Sequence, residues 1–249
     1  MSGQTALILG ATGATGKFLL RELLGSPNFT KVGEFGRRIT PLDDHLPNKE
    51  KLTQKVIDFE NVHQAGLNDE KWDVVFITLG TSRAQAGGAE NFRRIDQEYT
   101  FTGSIARYVV NAAKASRIPE HKQRLVYLSS SGADASARVL YTKSKGETEN
   151  RLASLGYDDN IICRPGPLLN ANRSETRILE QLFNPLFKLA SSFSDNVGMP
   201  VTSVAKAMRI AAELGSSGLP TTAQAIKAGS AEAKFTVIPN SGLLALARS

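Results

Sequence analysis

Short apolar runs alternate along this chain with longer stretches whose apolar positions recur every three or four residues. The short runs fall at Thr5–Leu9, Val32–Phe35, Gln54–Asp58, Val74–Leu79, Leu125–Ser129 and Asn160–Arg164, with another at Phe235–Ile238. Runs of this length, rich in Val, Ile and Phe, predict strands. Between the first two, Phe18, Leu19, Leu20, Leu23 and Leu24 make one apolar stripe that stops at Gly25, a helix with a glycine at its end. Phe92, Ile95, Tyr99, Ile105, Val109 and Ala113 repeat the helical period, and a further helix is expected from Tyr141 to Leu155. Strands alternating with helices predict an α/β fold built on a parallel, doubly wound sheet. The loosest stretch, Gly215 to Lys227, carries Ser216-Ser217-Gly218, Pro220 and Thr221-Thr222 and is expected to be a surface excursion.

One stretch has more apolar residues than a single helical stripe can use. Ile178, Leu179, Leu182, Phe183, Leu186, Phe187, Leu189 and Phe193 crowd one segment, interrupted by Pro185. One stripe can face a core; the remainder needs another partner. Three readings compete: the wall or lid of a substrate pocket, an oligomer interface, or a membrane contact with Lys188 at the headgroups. The first implies a predominantly apolar substrate.

Composition narrows the class. A length of 249 residues suits one α/β domain, and 41% hydrophobic with 22% charged residues excludes collagen-like and broadly disordered readings. The single cysteine, Cys163, excludes an intrachain disulfide framework, and its place in the apolar run Asn160–Arg164 predicts an inert, packed thiol. His45, His63 and His121 have no metal-ligand spacing. The net charge of +6 invites a nucleic-acid reading, but the basic residues come in pairs, as at Arg37-Arg38 and Arg93-Arg94, and aromatics are only 7%. Too few stacking platforms are left for that reading, whereas anionic small molecules or an anionic membrane surface account for the excess. Met1–Gln4 has no basic leader, the apolar run after it is too short for a signal peptide, and no apolar stretch is long enough to span a bilayer. A soluble or peripherally attached cytoplasmic protein is expected.

Charge becomes specific at the first turn. The first strand runs into Gly10-Ala11-Thr12-Gly13-Ala14-Thr15-Gly16 and then into the amphipathic helix. That is the context of a dinucleotide-binding turn: Gly10 makes the tight turn, Gly13 admits a pyrophosphate to the backbone, and Gly16 permits close helix–strand packing. The rival P-loop pattern fails, because position 11 is Ala and Phe18 follows Lys17 where a magnesium-binding hydroxyl is needed. After the second strand, where an acid would bond an unmodified ribose, the chain reads Gly36-Arg37-Arg38. Two guanidinium groups suit a 2′-phosphate, so NADPH is expected over NADH. Glu34 opposes this if the strand ends earlier, for its carboxylate would then face the ribose and favour NAD.

Of the five tyrosines, only Tyr141 is followed four residues later by a lysine, Lys145. On a helix that spacing puts both on one face. Just upstream, the strand ends in Ser129-Ser130-Ser131-Gly132. A phenol is a poor proton donor or acceptor at neutrality unless an ammonium stabilises its phenolate, and a serine hydroxyl can orient a carbonyl. The serine is Ser130 by alignment to the strand end and Ser129 by spacing to Tyr141.

The glycine turn, the serines and the Tyr141/Lys145 pair together resemble the short-chain dehydrogenase/reductase superfamily. Ile8–Thr12, Gly36-Arg37-Arg38, Leu79-Gly80-Thr81-Ser82-Arg83, Ser129–Asp134 and Arg164–Leu169 resemble, more narrowly, its atypical branch of Tat-interacting-protein-type oxidoreductases and their fungal relatives. The resemblance implies a single Rossmann-type domain over residues 1–249, with a core over 1–165 and substrate-side elements over 166–249. It implies NADPH held by Gly10, Thr12, Gly13, Ala14, Thr15, Gly16, Arg37, Arg38, Leu79, Gly80 and Thr81, with Asp58 near the adenine and further contacts from Tyr141, Lys145, Leu168 and Arg177. The implied activity is reduction of a carbonyl on a small molecule, with Tyr141, Lys145 and Ser129 or Ser130 catalytic. The alternative is an NADPH-binding regulatory or scaffold protein with little turnover. Fungal members are associated with the mitochondrial outer membrane and animal members with regulation of nuclear import, so peripheral membrane contact, a homo-oligomer or a protein partner are further expectations. The superfamily's Asn-Asn-Ala-Gly turn is replaced by Leu79-Gly80-Thr81, and Asn111 is the nearest asparagine for the usual proton relay.

Overall fold

The computed structural model describes residues 3–42, 46–58, 61, 66–67, 71–79, 121–169 and 198–249. Gly80, Thr81, Asn111, Arg177, the expected 92–113 helix and the apolar stretch 178–193 lie outside the described residues.

The predicted strands are all present: β1 (Gln4–Leu9), β2 (Phe29–Gly36), β3 (Leu52–Val56), β4 (Val74–Ile77), β5 (Arg124–Leu128), β6 (Asp159–Arg164) and, near the end, β10 (Lys234–Pro239). Three more appear: β7 (Leu168–Leu169), β8 (Met199–Pro200) and β9 (Ile226–Gly229). The main sheet has the order β3-β2-β1-β4-β5-β6-β10-β9, and β7 pairs with β8 in a small sheet of their own. Every neighbour pair in the main sheet is parallel except β10 with β9. β1 leads out to β2 and β3 on one side, and β4 and β5 continue on the other. The topological switch point therefore lies between β1 and β4, where ligands of open α/β sheets bind beyond the carboxyl ends of the strands.

Alternation along the central strands sends side chains into two cores. Ala6, Ile8, Val74, Phe76, Val126, Ile161 and Cys163 pack against α1 (Gly16–Gly25), α3 (Val201–Gly218) and α4 (Asn240–Arg248). Leu7, Leu9, Val75, Ile77, Leu125, Tyr127 and Ile162 face the other way, against Trp72 and the end of α2 (Leu140–Ala153). Strands buried on both faces are what a parallel sheet covered by helices requires. The expected excursion at 215–227 is more ordered than its turn residues predict. α3 continues through it to Gly218, bending at Gly215, and β9 begins at Ile226 as an antiparallel edge.

Candidate functional site

The carboxyl end of β1 is shaped by backbone. Gly10 has φ +91°, and a Cβ there would lie 2.9 Å from the Thr78 carbonyl carbon, so only glycine fits the turn. The Gly13 amide donates to the Gly10 carbonyl at 2.9 Å, closing the turn, and the Lys17 amide donates to the Gly13 carbonyl as α1 begins. At Gly16 a Cβ would sit 2.8 Å from the Gly10 carbonyl carbon; its absence lets the helix start directly against the end of β1. Across the switch point, the Thr78 hydroxyl donates to the carbonyls of Leu9 (3.0 Å) and Gly10 (3.1 Å). Thr78 thus ties the end of β4 to the turn, a role the sequence reading missed because a lone threonine after a strand has no signature.

The turn's surroundings suit an anionic group. Thr15 is 4% exposed, yet its hydroxyl oxygen is buried with no hydrogen-bond partner among the described residues. A buried, unsatisfied hydroxyl at a helix N-terminus is an open valence that a phosphate oxygen would fill. Thr12 is exposed, Gly13 and Ala14 are partly so, and Leu79 packs half-buried at the exit of β4. Arg37 and Arg38 are exposed just past the end of β2. Glu34 lies inside that strand, 1% exposed, and its carboxylate accepts bonds from Thr40 and Gln54. Asp58 departs from expectation: β3 ends at Val56, and the exposed Asp58 lies beyond it, accepting a 2.7 Å bond from the Asn61 side-chain amide. The polar Thr53-Gln54-Lys55 stretch pairs as strand on the sheet edge, and the last bond to β2, from the Ile57 amide to the Gly36 carbonyl, falls one residue before the acid.

The second half of the site lies at the end of β5. The Ser129 amide donates to the Cys163 carbonyl at 2.8 Å and the Ser131 amide to the Pro165 carbonyl at 2.8 Å, extending the β5–β6 ladder through the serines. The hydroxyl oxygens of Ser129 and Ser130 are both buried with no partner among the described residues. Beyond them the 131–137 loop folds back on α2: the Asp134 amide donates to the Thr142 carbonyl at 3.0 Å, and Asp134 accepts from the Ser136 amide and hydroxyl. Gly146 makes this possible, because a Cβ there would sit 2.8 Å from Asp134 Cα, against backbone.

Tyr141, Lys145 and Glu149 follow one another at four-residue steps along α2. Tyr141 is 38% exposed. The Lys145 ammonium donates to the Tyr127 hydroxyl at 3.1 Å and lies 5.2 Å from the centre of that ring. Burial lowers its pKa below the ordinary lysine value, and the fields of Tyr141 and Glu149 recover part of the loss. Burial raises the pKa of Tyr127, and the Glu149 charge adds to the rise, so its phenol keeps its proton. Glu149, 1% exposed, is held by Arg164 at the end of β6 through a two-pronged contact, 2.9 Å from Nε and 2.5 Å from Nη2. Neither Tyr127 nor the Glu149–Arg164 pair was read as part of the site from sequence, although the four-residue spacing of Lys145 and Glu149 was visible. Leu168, on β7, is partly buried against the α3-side core. Cys163 is fully buried, and burial pushes its thiol up to about 12.

A glycine turn at the switch point of a β3-β2-β1-β4-β5-β6 order, with an unsatisfied hydroxyl at the helix start, defines an NAD(P)-binding Rossmann protein. Residues 10–208 match the NAD(P)H-binding family. The chain is 36% identical to Protein HTATIP2 of Rattus norvegicus over 84% of its length and 81% of the relative's. It is 33% identical to Protein FMP52, mitochondrial, of Candida albicans over 68% of its length and 69% of the relative's. Among solved structures, it superposes on a short-chain dehydrogenase/reductase family oxidoreductase from Burkholderia thailandensis with a TM-score of 0.59 at 18% identity, covering 98% of this chain and 94% of that one. For the Bordetella bronchiseptica enzyme WbmH in complex with NAD+, the TM-score is 0.57 at 18% identity, covering 85% and 73%. The chain belongs to the NAD(P)H-binding family, in the branch of the HTATIP2 and FMP52 proteins. Fungal relatives are named mitochondrial, and among the described residues no helix is long and apolar enough to cross a membrane.

Proposed function

We propose that this protein is an NADPH-dependent reductase of a carbonyl on a predominantly apolar small molecule, acting as one dinucleotide-binding domain. The observation that carries this reading is the buried Lys145 ammonium, bonded to Tyr127 and one helical turn from both Tyr141 and Glu149, together with two serine hydroxyls at the end of β5 that are buried without partners among the described residues. A binding turn alone would serve a sensor; a buried lysine held by Tyr127 one helical turn from the half-exposed Tyr141 serves proton transfer. Gly10, Gly13 and Gly16, with the hydroxyls of Thr12 and Thr15 and the backbone of Ala14, would take the pyrophosphate, and Arg37 and Arg38 the 2′-phosphate. Leu79, Gly80, Thr81, Leu168 and Arg177 remain further contacts by family resemblance, as does Asp58 toward the adenine.

The bound cofactor supplies hydride. Tyr141 gives its phenolic proton to the substrate oxygen, the Lys145 ammonium stabilises the phenolate that forms and holds the nicotinamide ribose, and Ser129 or Ser130 donates to the same oxygen. Val139, two residues before Tyr141 and 64% exposed, and Leu169 on β7, 41% exposed, give this side of the molecule apolar surface, which favours an apolar substrate. By resemblance to the fungal relatives, peripheral attachment to the mitochondrial outer membrane is part of the reading.

Tyr141→Phe tests it. NADPH oxidation with a panel of apolar aldehydes and ketones should fall by about 10²-fold or more while NADPH affinity stays within about twofold. A wild-type protein that binds NADPH, alters a partner's binding and turns over none of the panel would support the regulatory alternative. Reduction confined to sugars or short hydroxy acids would overturn the apolar substrate.

A further inference from the structure

Within β2, Glu34 is the residue whose position works against its expected role. A carboxylate near the end of the second strand is the acceptor that an unmodified ribose seeks, yet here both oxygens are spent inside the protein. Oε1 accepts from the Thr40 amide at 2.7 Å and from the Thr40 hydroxyl at 2.7 Å. Oε2 accepts from the Gln54 side-chain amide at 2.8 Å, and the same amide donates to the Thr40 carbonyl at 2.7 Å. Gln54 is the direct cross-strand partner of Glu34 in the β2–β3 pairing. Four short bonds therefore close a ring through Glu34, Thr40 and Gln54, and the loop cut off by that ring carries Arg37 and Arg38, both exposed. The other side of the loop is fixed as well, because the Ile57 amide donates to the Gly36 carbonyl at 2.9 Å.

We propose that Glu34, Thr40 and Gln54 form a clasp that positions the Arg37–Arg38 turn for a 2′-phosphate and withdraws the Glu34 carboxylate from the ribose. They are thus specificity-positioning residues for NADPH over NADH. The inference rests on the NADPH reading above and deepens it. The clasp acts in two directions. Tethering residue 40 to residue 34 limits the conformations of the turn, so less ordering entropy is lost when its guanidinium groups bond the phosphate. Filling the lone pairs of Glu34 leaves a 2′-hydroxyl without its usual acceptor, and burying the carboxylate avoids setting it against a phosphate.

Fluorescence titration of the full chain with NADPH and with NADH, in wild type and in Thr40→Val, Gln54→Leu and Glu34→Gln, tests the clasp. Thr40 and Gln54 are only partly buried, so the first two variants should fold, and thermal melting of each variant verifies this. Each variant should lower the NADPH/NADH affinity ratio by about five- to tenfold, the net worth of one ordinary hydrogen bond, through weaker NADPH binding with NADH binding unchanged or tighter. Glu34→Gln separates the clasp from simple electrostatics: were Glu34 only a nearby negative charge, removing it would tighten NADPH. Tighter NADPH binding in that variant, or an unchanged ratio in Thr40→Val and Gln54→Leu beside a wild type that prefers NADPH, overturns the clasp alone. A wild type with equal affinity for both cofactors overturns the NADPH reading and the clasp with it.

Discussion

The contact between Lys145 and Tyr127 binds together two residues that the sequence keeps 18 positions apart. A hydrogen-bond acceptor favours the charged form of its donor, so the Tyr127 hydroxyl works against the desolvation that lowers the Lys145 pKa. Tyr127→Phe keeps the ring but removes the acceptor, and the pKa should fall further. The sign follows: the ammonium exists below its pKa, so whatever it contributes to holding the cofactor is lost on the alkaline side. In NADPH titrations between pH 7 and 10, that loss should begin at a lower pH in Tyr127→Phe than in wild type. Coincident profiles would show that the hydroxyl is only a packing group. A second expectation concerns Cys163. With its thiol raised to about 12 and fully buried, it should resist aromatic disulfide reagents at pH 8 until the protein unfolds. Some of this was legible beforehand. The Tyr141/Lys145 pair and the inert Cys163 follow from spacing and from a run of apolar neighbours. Tyr127 reads only as an inward strand residue, since its partner is fixed by how α2 lies across β5.

At the level of elements, the site depends on how α2 is held. Two devices fix it: the Glu149–Arg164 pair ties it to β6, and the missing side chain at Gly146 lets the 131–137 loop lie on it. Gly146→Ala would push a methyl group into backbone, which costs about 1–3 kcal/mol as overpacking, and it should lower turnover more than cofactor affinity because the serines move and the glycine turn does not. Arg164→Met would leave the buried Glu149 without its counter-charge, a loss of roughly 3 kcal/mol; the pair is placed at the low end because Arg164 keeps 26% of its side chain exposed. Urea melts of the two variants check both figures. The strands were legible because each buried run had both β-branched residues and flanking turn signals. β9 was not, because Ile226–Gly229 offers one large apolar side chain, itself 60% exposed, on an edge with little to bury. α3 was not anticipated either; Gly215, at φ +68° and ψ 167°, interrupts it with a kink before the last turn to Gly218.

Across the whole molecule, the +6 charge and the open valence at the turn point to the same conclusion. Among the described residues the hydroxyls of Thr15, Ser129 and Ser130 are buried without partners, and a buried hydroxyl gains free energy when something bonds it. A ligand that fills the turn and bonds these hydroxyls should stabilise the fold through linkage. At NADPH one hundred times its Kd the gain is about 2.7 kcal/mol. For a chain of this length that corresponds to a rise in Tm of about 5–10 °C. NADH at the same concentration should give a clearly smaller rise, because Arg37 and Arg38 lose their phosphate and the carboxylate of Glu34 is already engaged. Added salt should reduce the NADPH shift more than the NADH shift, since exposed guanidinium–phosphate attraction is screened and backbone hydrogen bonding is much less so. Equal shifts for the two cofactors, with equal salt dependence, would remove the arginine pair from cofactor recognition and return part of the positive charge to the surface at large.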